Sequence, residues 1–142
     1  MIMKAIDAPG SANSSPDGSL CGRRILVVED EILIALTAQD MLTDAGADVV
    51  IATCASEATD QLSGSHPLDA AIIDLNLGHG CDSSLAAIAV RRGIPVVLAT
   101  GYSRVTDLPE AFTDIPIVSK PYTGTTLVSA VREAMGPRAA AG

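Results

Sequence analysis

Residues 25–31 read ILVVEDE. Four apolar residues, three of them β-branched, run directly into three carboxylates. An apolar run of this length, with no polar alternation, is the pattern of a strand covered on both faces. The acidic cluster at its end then needs an explanation, because like charges held close are costly unless a cation or a proton offsets them.

Outward from that strand the chain alternates. An apolar stripe of Ile34, Ala38, Met41, Leu42 and Ala45 predicts a helix that stops at Gly46. DVVIAT is a second strand, SEATDQLSG a short helix with Ser56 or Ala55 near its start and Gly64 past its end, and LDAAIID a third strand. LNLGHGC is a loop. DSSLAAIAVRRG is a helix capped at Asp82 or Ser83 and stopped at Gly93. IPVVLAT and IPIVSK are the fourth and fifth strands. TGTTLVSAVREAMG closes the series, with Thr123 as N-cap, Leu127, Ala130, Val131 and Ala134 as its buried face, and Gly136 as its stop. Between strands four and five, GYSRVTDLPEAFTD lacks a clean helical period and contains Pro109, so a short, weakly held helix or a loop is expected there.

Strand–helix alternation implies a parallel sheet with helices on both faces. Five such units fit the α/β flavodoxin-like (βα)5 doubly wound fold, strand order 2-1-3-4-5, in a single domain. Ligands of that fold sit at the carboxyl ends of strands one and three. Residues 1–22, rich in Ser, Gly, Pro and Ala, are read as a flexible leader, residues 23–136 as the domain, and 137–142 as a flexible tail too short for an output domain.

The totals narrow the function. The chain has 142 residues and a formal net charge of −8, which disfavours phosphate-mediated nucleic-acid binding and an anionic membrane surface. The three cysteines, Cys21, Cys54 and Cys81, form no C-x-x-C pair and read as reduced thiols. With no signal peptide or apolar span in the sequence, the expected location is cytoplasmic.

The 2-1-3-4-5 order brings Glu29 and Asp30, ending strand one, beside Asp74, ending strand three. An all-oxygen cluster of this kind suits Mg²⁺. The alternative for Glu29 and Asp30 is helix N-capping, and for Asp74 an Asx turn. Thr100 ends strand four with a hydroxyl. Lys120, one of two lysines in the chain, ends strand five. An aspartate, Mg²⁺, a hydroxyl and an ammonium together make a phosphoryl-transfer site.

LVVEDE, AAIIDLNL, VVLATGY and IVSKPY, in this order at strand ends, resemble the response-regulator receiver domains of two-component signalling over roughly residues 23–136. LATGYS further resembles the FAT GUY subgroup of stand-alone receivers, with Leu98 where that motif has Phe. The resemblance implies that Asp74 is the phospho-acceptor. It makes Glu29 and Asp30 the acidic pair for Mg²⁺ and gives the Asn76 backbone carbonyl to the metal. Thr100 and Lys120 would contact the phosphoryl group, Pro121 would follow Lys120 through a cis bond, and Tyr102 would stand at the rim of the site as a gate. The family's switch aromatic is replaced by Ile117, the residue after Thr100 is Gly101, and Gly78 stands where many receivers have Pro. These departures touch the output mechanism.

The expected protein is thus a Mg²⁺-dependent single-domain response regulator, a monomer or weak dimer. A sensor histidine kinase or histidine phosphotransfer protein would phosphorylate it on Asp74, and it would act as a signalling switch or a phosphate sink. It is expected to be a signalling receiver rather than a metabolic enzyme, with no nucleic-acid or membrane partner. Two alternatives stand beside this: a pseudo-receiver that binds protein without phosphorylation, and an aspartyl-phosphate hydrolase, against which Asn76 stands where that chemistry wants a second Asp. His79 and Cys81, near the acceptor loop, and His66 are expected to be solvated or structural. Leu33 and Leu36 are either the edge of the first helix's core stripe or an apolar partner surface.

Overall fold

The structure, a computed structural model, describes residues 19–75, 84–101 and 114–136. The described elements are β1 (Arg24–Val28), α1 (Ile32–Asp44), β2 (Asp48–Ala52), α2 (Ala55–Ser63), β3 (Ala70–Asp74), α3 (Ser84–Arg91), β4 (Val96–Thr100), β5 (Ile117–Ser119) and α4 (Gly124–Met135). Asn76, Gly78, His79, Cys81, Tyr102 and the segment around Pro109 lie outside the described residues, as does the expected start of α3.

All strand pairs are parallel and the sheet order is β2-β1-β3-β4-β5, the flavodoxin-like 2-1-3-4-5 arrangement the alternation predicts. The apolar strand runs divide by parity, because successive side chains point to opposite faces. Ile25, Val27, Ile72, Val97 and Ala99 pack with Leu42 of α1 and Leu127 and Val131 of α4. Leu26, Val28, Ile73, Val96 and Leu98 pack with Leu62 of α2 and Leu85 of α3. Two cores, one on each face, therefore account for strands with no polar alternation. Alanines supply much of the helix surface that meets the sheet: Ala38, Ala58, Ala86 and Ala89 are completely buried. Small residues let the helices approach closely, which is how a chain with so few aromatics fills its interior.

Two details differ from the sequence reading. On α1 the buried residues are Ala35, Ala38 and Leu42, while Ile34 and Met41 are only partly buried. The stripe is rotated toward the small residues because α1 shares its face of the sheet with α4. The end of the stretch read as leader is also held in place. Leu20 is 0% exposed in the first core, and its N–H donates to the Ala45 carbonyl at 2.9 Å. A single leucine in a polar, Gly-rich context carries too little periodicity to announce itself.

The turn it meets depends on Gly46. Gly46 has φ +98°, and a Cβ there would lie 3.0 Å from the Cys21 Cα. Both the left-handed backbone and the close approach require glycine. At the amino-terminal edge of the sheet, the Asp69 carboxylate accepts from the Arg24 N–H at 2.8 Å and lies 3.7 Å from the Arg23 guanidinium. This pins the start of β1 to the segment entering β3. Among the described residues no helix is long and apolar enough to cross a membrane.

Candidate functional site

The carboxyl ends of β1, β3, β4 and β5 converge on one cluster of polar side chains. β1 ends at Val28, so Glu29 and Asp30 lie one and two residues beyond the strand rather than at its last positions. The ladder still carries Glu29, whose N–H donates to the Ala52 carbonyl at 3.0 Å. Asp74 is the last residue of β3 and Thr100 the last of β4. Lys120 follows β5 directly, and its N–H donates to the Thr100 carbonyl at 2.8 Å. The peptide bond between Lys120 and Pro121 is cis.

Glu29 and Asp74 are each 2% exposed and Thr100 1%, so two carboxylates and a hydroxyl are buried where the strands end. The Lys120 ammonium lies between the two carboxylates. Its Nζ donates to Glu29 Oε1 at 3.1 Å and lies 3.2 Å from Asp74 Oδ2. The second Glu29 oxygen accepts from the Glu31 N–H at 3.2 Å. Glu31 occupies the N-cap of α1 without a capping hydrogen bond from its side chain. Glu29 is thus committed to the interior and to Lys120 rather than to capping the helix.

Burial is the largest influence on Glu29 and pushes its carboxyl above the ordinary carboxylate value; the Lys120 hydrogen bond opposes this, and the charge of Asp74 reinforces it. For Lys120, burial works against the charge, but the hydrogen bond to Glu29 and the charges of Asp74 and Glu29 outweigh it, and its pKa is raised. The two directions agree: the site holds more negative charge than a single ammonium offsets.

Asp30, which is exposed, completes an all-oxygen cluster. One carboxylate oxygen from each of Glu29, Asp30 and Asp74 lies within 4.8 Å of the others. Three hard anionic oxygens at this spacing, with one carboxylate open to solvent, fit a small divalent cation that keeps several waters. They offer no soft or imidazole donor for a transition metal.

Among the remaining expected residues, Gly101 is exposed, and a Cβ built on it meets nothing within 4 Å. Ile117 is exposed on the edge strand. Tyr122, which the sequence reading passed over, is half-buried against the first core. Its phenol is pushed up to about 12, first by burial and then by the charges of Glu29 and Asp74. An aromatic two residues past the site lysine was the available signal. Ile32, Leu33 and Leu36 form an exposed apolar face on α1, next to the acidic cluster. His66 is exposed.

The fold and the cluster at its strand ends define a receiver-type α/β module, and known proteins agree. No protein-family model matches the chain. The N-terminal domain of a response regulator/sensory box/GGDEF three-domain protein from Carboxydothermus hydrogenoformans is 28% identical. It superposes with a TM-score of 0.71 over 84% of this chain and 98% of that one. SdrG from Sphingomonas melonis Fr1 is 33% identical with a TM-score of 0.67, covering 80% of this chain and 95% of that one. The transcriptional regulatory protein PdtaR of Mycobacterium tuberculosis is 30% identical over 118 residues, 80% of this chain. The chain spans only 57% of the length of that curated relative. This chain belongs to the response regulator receiver domains, which are signalling modules rather than metabolic enzymes.

Proposed function

We propose that this receiver domain takes a phosphoryl group from a phosphohistidine onto Asp74. The observation that carries the reading is the Lys120 ammonium held 3.1 Å and 3.2 Å from two buried carboxylates, Glu29 and Asp74, at the strand ends. An ion pair this deep is a poor device for stability alone. It suits a site where charge must change. An oxygen of the Asp74 carboxylate attacks phosphorus, the N–P bond breaks, and the imidazole leaves with the bonding pair. Lys120 then exchanges part of its contact with Asp74 for a phosphoryl oxygen. The Thr100 hydroxyl, one residue past the Asp74↔Ala99 pair, is at hand to donate to another. Preorganised donors of this kind stabilise the charge that develops in transfer.

Asp30 and Asp74, with Glu29 behind them, would hold Mg²⁺, which supplies positive charge to the phosphoryl oxygens. The exposed face of Ile32, Leu33 and Leu36 beside the site suits docking of the histidine donor, a sensor kinase or a phosphotransfer protein in the cytoplasm. With Ile117 at the switch position, any output motion is carried by an aliphatic side chain at the sheet edge. The stretch LATGYS supports placing the domain in the FAT GUY subgroup of stand-alone receivers.

The test is incubation with acetyl phosphate and Mg²⁺, read by intact and peptide mass spectrometry on the wild type and on Asp74→Asn. The expected result is one added phosphoryl group at residue 74, absent from the variant. An unmodified wild type would make the chain a pseudo-receiver, and equal modification of both proteins would remove Asp74 from the role.

A further inference from the structure

At the other end of the sheet, where β4 and β5 begin, lies a cleft of about 310 Å³. The end of α3, the turn into β4, the turn into β5 and the end of α4 form its walls. Its lining is mostly apolar, with Val90, Ile94, Pro116 and Ala134 among it. Val90, 42% exposed, is among the large apolar side chains that face solvent, and it lines this cleft. Among the described residues, the titratable lining residues are Asp114 and Glu133, and no Lys, Arg or His lines the cleft. Among the described residues neither carboxylate makes an ion pair.

Two exposed carboxylates beside an apolar hollow describe a complement: a cation on a methylene stem. The stem covers apolar surface while the charged head stays in water near the acids, as long basic side chains do. Guanidinium suits two carboxylates better than ammonium, because it is planar, weakly hydrated and presents several donors at once. The cleft is open to solvent rather than an enclosed cavity, whereas pockets for free small molecules typically bury most of their occupant. A side chain delivered by a polypeptide need not be enclosed.

We propose that this cleft docks an arginine, flanked by small apolar residues, from a partner polypeptide. The site is separate from the acidic cluster by the length of β4, roughly 13–17 Å for a five-residue strand.

The experiment titrates the full ¹⁵N-labelled chain with the peptide acetyl-Ala-Arg-Ala-Ala-amide and follows amide shifts by NMR. Saturable shifts are expected at Val90, Gly93, Ile94, Ile115 and Ala134. Replacing the arginine by citrulline, or using the Asp114→Asn/Glu133→Gln variant, should weaken binding at least fivefold. That is the upper range for a single exposed ion pair. Both substitutions are at exposed positions, and a matching thermal melt confirms that the variant is folded. Equal binding of the citrulline peptide, or shifts centred on Asp30 and Asp74, would overturn the proposal, as would shifts that never saturate. Binding of n-butylguanidinium as tight as that of the peptide would overturn it too, since the source would then be a free small cation.

Discussion

Replacing Lys120 by Met tests what holds the buried carboxylates in place. Methionine keeps the length of the side chain and removes the ammonium, which is 15% exposed and within 3.2 Å of Asp74 and 3.1 Å of Glu29. Two carboxylates, each 2% exposed, would be left side by side without their cation. Removing one partner of a buried pair typically costs about 3–5 kcal/mol, because an uncompensated charge remains. At about 4 °C per kcal/mol for a domain of this size, the melting temperature should fall by roughly 12–20 °C in metal-free buffer. The loss has a pH signature with a defined sign. Glu29 already has a raised pKa in the wild type, so the folded state favours its neutral form. Without Lys120 that preference grows, and the deficit should shrink as the pH falls toward 4.5, where protonation removes the repulsion. At the alkaline end Lys120 has a raised pKa in the folded wild type, so its contribution is complete below 10.5 and is lost as the pH rises through the raised value. The assay is urea unfolding of both proteins between pH 5 and 8 in EDTA. A difference below about 1 kcal/mol that does not change with pH would show that the ammonium does not balance these charges.

Three further outcomes follow from the same geometry. Mg²⁺ at 100 times its Kd should stabilise the wild type by about 2.7 kcal/mol; thermal melts should show this shift lost in Asp30→Ala, and an equal shift in both proteins would take Asp30 out of the cation site. Gly101→Ala should change stability by less than about 0.5 kcal/mol and leave acetyl-phosphate labelling intact, since a Cβ there enters open space; a large loss in a urea melt would contradict this. Thr123→Ala should cost about 1–2 kcal/mol by chemical denaturation, because Thr123 Oγ1 accepts from the Thr126 N–H at 3.1 Å and Thr126 Oγ1 in turn accepts from the Thr123 N–H at 3.0 Å; an unchanged midpoint would mean the cap contributes nothing.

The sequence by itself determined the sheet and which side chains meet where its strands end. Runs such as ILVV and AAIID are apolar at every position because both faces of a parallel sheet are covered, and that periodicity is local and legible. The topological rule then placed Glu29, Asp30, Asp74, Thr100 and Lys120 at one edge without any coordinates. Tertiary structure decided the matters that depend on how elements settle against each other. Leu20 joined the core because the turn at Gly46 lies open to it, a contact that no composition window contains. The buried stripe of α1 rotated onto Ala35 because α1 and α4 share one face of the sheet. Tyr122 came under the field of Glu29 and Asp74 through its packing on the core. Lys120 proved to bridge two carboxylates rather than pair with one. Strand positions fix where a side chain begins, but the balance between burial and charge, which only the packed molecule sets, fixes where its ammonium comes to rest.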